Sequence, residues 1–368
     1  MQDTIFAPSF GNRPHALIGR EETMSEMKSC LESRPGTRER AVIILGQRGS
    51  GKTVILWELA DIARDMGYIV ASPTAASENM LGRIVEKLQD GIENDFPTKN
   101  SHLSGGSLGI LGFSAGIQFE HKETVRKSYA YQITKIAREL TAHGKGMLVL
   151  IDELQANSSQ IREFIVTYQE MVGEGLNVSV IMAGLPGAVS TILNDHVLTF
   201  FNRALKLQLP PLRSSDIYAY YRQAFSEIGL KLDDDHITEA ANAADGSPYM
   251  MQLIGHNIII NTPETGTIDE AGFRTALQMS GKDFMNDVCG TTLAALSEKD
   301  IDFITALAAE GQPGKISSIA KRMGVSQDYA QKYKKRLIEA GVIKMHSRGQ
   351  VEFAVPLMQE YLKKITSM

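Results

Sequence analysis

The sequence predicts an α/β fold: a mostly parallel sheet interleaved with helices, then an α-helical lid, then a C-terminal winged helix-turn-helix domain. Three observations carry this. Short apolar runs alternate with helical stretches over the first 209 residues, as expected of strands covered on both faces. A Pro210-Pro211 break leads into a segment with helical periodicity alone. Beyond Leu296-Ser297, three short helical patterns are followed by two strands around a tight turn. A chain of 368 residues is too long for one ordinary domain, and we divide it as 1–209, 210–290 and 291–368.

Hydrophobic content of 43% against 22% charged is enough to build real cores and excludes a disordered chain. Two cysteines, Cys30 and Cys289, make neither a disulfide framework nor a zinc site and fit a reducing compartment. The start, Met1-Gln2-Asp3-Thr4, lacks a signal-peptide pattern, and charge or glycine interrupts every apolar run before 18 residues. A cytoplasmic protein without a membrane partner is the expectation. Residues 297–368 carry 12 Lys/Arg against 8 Asp/Glu, an excess of four positive charges, so the remainder of a chain of net charge −5 carries −9. A basic module on an acidic body suits a protein that touches nucleic acid through one domain, or simply a solvated surface.

Taken in order, an irregular arm precedes a helix over Glu21 to Glu32. Ala41-Val42-Ile43-Ile44-Leu45 reads as a buried parallel strand, and a helix from Lys52 to Met66 follows a glycine loop. Tyr68 to Ser72, Met147 to Ile151, Val178 to Met182 and Ala204 to Leu209 are further strands, with a helix from Glu78 to Ile92. Ser101 to Phe119 is glycine-rich with interleaved apolar residues and reads as a hairpin or loop, either an insertion or a contact surface. In the second segment, Tyr218, Tyr221, Phe225 and Ile228 share a helical face. Trp57 reads as packing, and the eight histidines show no metal-ligand spacing.

Gly46-Gln47-Arg48-Gly49-Ser50-Gly51-Lys52-Thr53 matches G-x4-GK[ST] with a strand before it and a helix after it, the context a phosphate-binding P-loop needs. Glycines let backbone N–H groups turn inward around phosphates, and the helix N-terminus adds positive potential. Lys52 is expected on the β- and γ-phosphates and Thr53 on Mg²⁺. Asp152-Glu153 follows the third strand. There Asp152 would hold the metal and Glu153 would polarise the attacking water. ATP and Mg²⁺ are the cofactors this pattern implies.

With an extra strand between the glycine loop and Asp152-Glu153, the chain resembles the AAA+ ATPases, and among them the initiator-type, origin-recognition-like members that end in a winged helix. The resemblance runs from about Pro14 to Leu362. It implies that Pro14-His15-Ala16-Leu17-Ile18-Gly19-Arg20-Glu21 lies against adenine, which nominates Ile18 and Gly19. Three departures stand out. The fourth strand runs into Ala183-Gly184-Leu185-Pro186 without the usual polar sensor, and the lid stretch Asp245-Gly246-Ser247-Pro248-Tyr249 lacks the usual arginine. Both are similar to signalling ATPases of the STAND class and imply slow hydrolysis. Arg203 precedes the fifth strand, where an arginine finger reaching into a neighbour of a homo-oligomer is often found; a plain surface arginine is the other reading.

Ser297-Glu298-Lys299-Asp300 caps a helix to Ala309, with Ile301, Ile304, Leu307 and Ala308 on its inner face. Ile316 to Met323 and Gln327 to Ala340 follow as helices, then a hairpin around His346-Ser347-Arg348-Gly349. In a DNA complex Gln327, Gln331 and Lys332 would meet base edges, and Lys334, Lys335 and Arg348 phosphates. Double-stranded DNA is the expected partner; a protein partner is the alternative, since fold alone does not fix function.

Overall fold

The computed structural model describes residues 3, 5–6, 8–9, 12–72, 79–95, 128–154, 158–193 and 198–367. The glycine-rich segment 101–119 lies outside them. Chain order is α1 (Glu21–Glu32), β1 (Ala41–Leu45), α2 (Lys52–Asp65), β2 (Tyr68–Ala71), α3 (Met80–Asp95), α4 (Tyr129–Ala142), β3 (Gly146–Ile151), α5 (Ser159–Gly173), β4 (Val178–Gly184), α6 (Pro186–Leu193) and β5 (Leu205–Gln208). These strands form one parallel sheet in the order β2-β3-β4-β1-β5. Because side chains alternate, Ala41 and Ile43 of β1 enter the core beneath α3, α4 and α5, whereas Val42 and Ile44 enter the core with α1 and α2. Both faces are covered, so β1 to β4 are apolar almost throughout, whereas the edge strand β5 alternates Leu205 and Leu207 with exposed Lys206 and Gln208.

At the rear of the sheet Arg40 is 4% exposed. Its guanidinium donates to Ser33 O (2.6 Å), Ser179 Oγ (2.9 Å) and the Tyr68 hydroxyl. A buried charge persists only when its donors are met in this way.

Helices continue as α7 (Ser214–Glu227), α8 (Asp234–Ala243), α9 (Pro248–Ile260) and α10 (Glu270–Phe284), then a π-helical turn (Met285–Gly290) and α11 (Thr291–Ala294). The buried face of α7 is Ile217, Tyr220, Tyr221, Ala224 and Phe225. Of the expected stripe, Tyr221 and Phe225 are buried, while Tyr218, with its hydroxyl on Asp234, and Ile228, just past the helix end, pack half-buried against the same cluster. Phe6 from the N-terminal arm completes the cluster, its ring 5.7 Å from those of Tyr220 and Phe225, pressed where Gly255 has no side chain.

The C-terminal elements are α12 (Glu298–Glu310), β6 (Gly314–Lys315), α13 (Ile316–Met323), α14 (Gln327–Glu339), β7 (Ile343–Ser347), β8 (Gln350–Phe353) and α15 (Met358–Thr366). The antiparallel sheet β6-β8-β7 with α12, α13 and α14 is compatible with a winged domain. Ser297 and Asp300 form a reciprocal capping box, and Asp300 also accepts from Arg336 of α14 at 2.5 Å. Phe303 is fully buried in α12 and Ile301 is not, so the helix is rotated slightly from the expected face. Lid and C-terminal elements share one continuous apolar cluster from Ile5 to Leu362.

Candidate nucleotide site

The loop after β1 reverses through Gly49 (φ +73°) and Gly51 (φ +88°), conformations that L side chains rarely adopt. A Cβ at Gly46 would stand 2.4 Å from Ser50 Oγ, so a side chain there would force that hydroxyl to turn away. Lys52 opens α2 with Nζ folded into the loop, donating to Gly46 O (2.9 Å) and Gln47 O (2.7 Å). Burial pushes its ammonium down to about 8; Asp152 and Glu153 oppose that shift and Arg48 adds to it. An ammonium so placed gains from an incoming polyanion.

Beside it, Thr53 Oγ1 donates to Asp152 Oδ2 at 2.5 Å, while Asp152 Oδ1 accepts from the Glu153 N–H at 2.9 Å. Glu153 holds φ +53°, rare for a residue with a side chain, and its side chain is exposed. Its neighbour Leu154 is tied to Ala183 O at 2.9 Å. The turn is thus fixed from β4 while the Glu153 side chain stays exposed, a strained arrangement of the kind found at functional sites. The structure brings Lys52, Thr53, Asp152 and Glu153 together at the carboxyl ends of β1 and β3. The apolar end of β4 is equally plain: Gly184 packs on Leu154 and offers no side chain to water.

Ile18 packs against the lid cluster, and Gly19 (φ +60°) abuts Asp216 and Leu212 at the start of α7. The pair therefore lies between core and lid. Sequence reasoning missed Arg20, which is 3% exposed and donates to Ser50 O at 3.4 Å from beneath the loop. Its adjacency to Gly19 was the available signal. Arg13 lies over the Trp57 ring (5.8 Å) and pairs with Asp61, fastening the arm to α2. Arg203 is exposed in a 3-10 turn (Thr199–Arg203) before the edge strand β5. Gln327, Lys332, Lys335 and Arg348 are exposed, and Gln331 and Lys334 half-buried; five sit on α14, and Arg348 occupies the β7–β8 turn.

Two other parts of the chain press on the loop. The Tyr249 N–H of α9 donates to Gly49 O at 3.3 Å. Gln47 fills the space beside Gly341, where a Cβ would lie 2.1 Å from Gln47 Oε1, and Gly187 of α6 abuts Glu339 O at the end of α14. Between them a cavity of about 360 Å³ is lined in part by Arg48, Thr292 and Arg336.

The family described as AAA ATPase domain matches residues 16–181, which span α1 to β4 and include every nucleotide-site residue except Arg203. The chain is an ATPase with a P-loop fold. A domain of unknown function (DUF8462) matches residues 286–362. Among solved structures, the ATPase is similar to a Walker-type ATPase of Pyrococcus abyssi, with TM-score 0.70 at 17% identity over 95% of this chain and 97% of that one. The ORC2 protein of Aeropyrum pernix, solved with ADPNP and ADP, gives TM-score 0.62 at 13% identity over 98% of each chain. Cdc6p of Pyrobaculum aerophilum gives 0.52 at 14% identity over 98% and 97%. No match was found among curated proteins. Among the described residues no helix of the ATPase is long and apolar enough to cross a membrane.

Proposed function

We propose that this protein is a cytoplasmic, slowly hydrolysing ATP switch that binds double-stranded DNA through its C-terminal domain, read as a winged helix, with the nucleotide state setting DNA binding or assembly. The observation that carries the switch is the loop itself, touched at once by the lid through Tyr249 and by the C-terminal domain through Gln47 and Gly341. Lys52 would leave the carbonyls of Gly46 and Gln47 for the β- and γ-phosphates, which also meet the loop N–H groups and the start of α2. The Thr53 hydroxyl and the Asp152 carboxylate fit Mg²⁺, since a hard cation takes oxygen ligands and completes its shell from phosphates and water. Mg²⁺ when bound would offset the charge of the phosphates. Glu153 would accept a proton from the attacking water, and slow turnover follows from the apolar β4 end and a lid without arginine at Asp245–Tyr249.

DNA contact is supported by the exposed Lys332, Lys335 and Arg348 on a domain of net positive charge. The missing polar sensors favour a second reading, a STAND-like scaffold ATPase whose C-terminal domain binds a protein. Binding of a random labelled duplex with and without ATP separates them. The DNA reading expects ATP-dependent, salt-sensitive binding that a Lys334/Lys335/Arg348 triple alanine variant loses and Glu153→Gln prolongs. No binding by wild type at low salt in any nucleotide state sinks it.

A further inference from the structure

Tyr249 bonds the glycine loop with its main chain and the π-helical turn with its side chain. It is the second residue of α9, and its N–H holds the Gly49 carbonyl of the glycine loop at 3.3 Å. The contact is close, for a Cβ at Gly49 would lie 3.1 Å from Tyr249 Cβ. Its phenol turns the other way and donates to Asp287 Oδ2 at 2.6 Å, with the ring beside Phe284 at 6.1 Å between centroids. Asp287 belongs to the π-helical turn Met285–Gly290, the only such turn among the described residues. A π turn breaks the i→i+4 ladder and is a frequent site of function. This one lies where α10 gives way to the C-terminal elements. It is also fastened to them: Cys289 Sγ donates to Pro356 O at 3.4 Å, and Gly290 packs against the Tyr361 hydroxyl of α15.

We propose that Tyr249 is a positioning residue that carries the occupancy of the nucleotide loop to the C-terminal domain, through its main chain at Gly49 and its hydroxyl at Asp287. Phosphates that turn the loop N–H groups inward also turn the Gly49 peptide, whose carbonyl Tyr249 holds. The displacement passes along a rigid aromatic side chain to a turn whose bonding is already irregular, and from there to α15. Coupling of this kind needs an element with two arrangements that both sites bias, and the π turn is that element. The inference rests on the nucleotide-switch reading above.

The test is a distance measurement by electron–electron double resonance on the full chain, with spin labels at Asp65→Cys and Lys364→Cys, both exposed, with and without Mg-ADPNP; binding is followed in parallel by calorimetry. Wild type is expected to bind ADPNP and shift its distance distribution. Tyr249→Phe keeps ring and main chain and leaves the Gln47–Gly341 contact intact, so it should bind ADPNP with a clearly smaller shift. Asp287→Asn retains an acceptor for the phenol and should keep the shift, whereas Asp287→Ala should shrink it likewise. A shift in Tyr249→Phe equal to wild type overturns the proposal, as does wild type that binds without any shift. Wild type that binds no ADPNP overturns the nucleotide reading and the relay together.

Discussion

Lys52 shows what burial does to a charged group poised for a ligand. With its ammonium held down at about 8 by the folded loop, it loses its proton as the pH rises through that value. Phosphate contact favours the charged form, so nucleotide binding pulls the proton back. Calorimetry in buffers of different ionisation enthalpy should therefore find proton uptake on ADPNP binding above pH 8, little at pH 6.5, and an affinity that weakens as pH rises past 8. Glu153→Gln keeps every contact named for binding but removes the base. Its turnover should fall by about 10²- to 10⁴-fold with ADPNP affinity retained. These residues could be read from the sequence because a short continuous motif carries their chemistry. Arg40 could not, since a buried guanidinium is defined by distant partners such as Ser179 and Tyr68, and Arg20, which reaches Ser50, left only its place beside Gly19 as a signal.

Strands covered on both faces announce themselves as unbroken apolar runs, which is why β1 and the starts of β2 and β4 were legible to the residue. Two-residue β6 has no pattern to read, and α15 follows the hairpin with no motif before it. The face of α7 was legible in part because tyrosine serves both sides: Tyr221 is buried with its hydroxyl on Met251 O, while Tyr218 packs at the cluster's rim and reaches Asp234. Helix pairs are held by similar polar ties. His236 of α8 bridges Asp233 and Glu270 of α10, and those carboxylates raise its affinity for a proton. A raised histidine contributes its stability in full below its unfolded value of about 6.5 and loses it as pH climbs through the folded value. Thermal melts should show His236→Ala less stable than wild type at pH 6, with the gap narrowing by pH 9. Asp300→Ala removes a cap and the Arg336 contact together, and should cost about 2 kcal/mol in denaturant unfolding.

The assembled chain raises questions that no single helix or strand can answer. If α14 and the β7–β8 turn meet phosphates, the slope of log affinity against log salt should flatten by about one for each cation replaced by alanine among Lys334, Lys335 and Arg348. Arg203 stands exposed before the edge strand, so a finger acting on a second copy predicts ATP turnover per mole that rises with protein concentration in wild type but not in Arg203→Ala. Neither the contact of Gln47 with Gly341 nor that of Gly49 with Tyr249 was foreseeable, because each joins residues far apart in sequence through glycines that leave room rather than side chains that signal. The π turn has one more use. Its Cys289 thiol is buried against Pro356 O and pushed up to about 12, and Cys30, the other cysteine, is buried in α1 under the sheet. Neither sulfur reacts until its surroundings open, so the rate at which a thiol reagent consumes each one times the opening of a different part of the fold. The protein thus carries two internal clocks, and adding nucleotide should slow or quicken the one at Cys289 while leaving the other nearly unchanged.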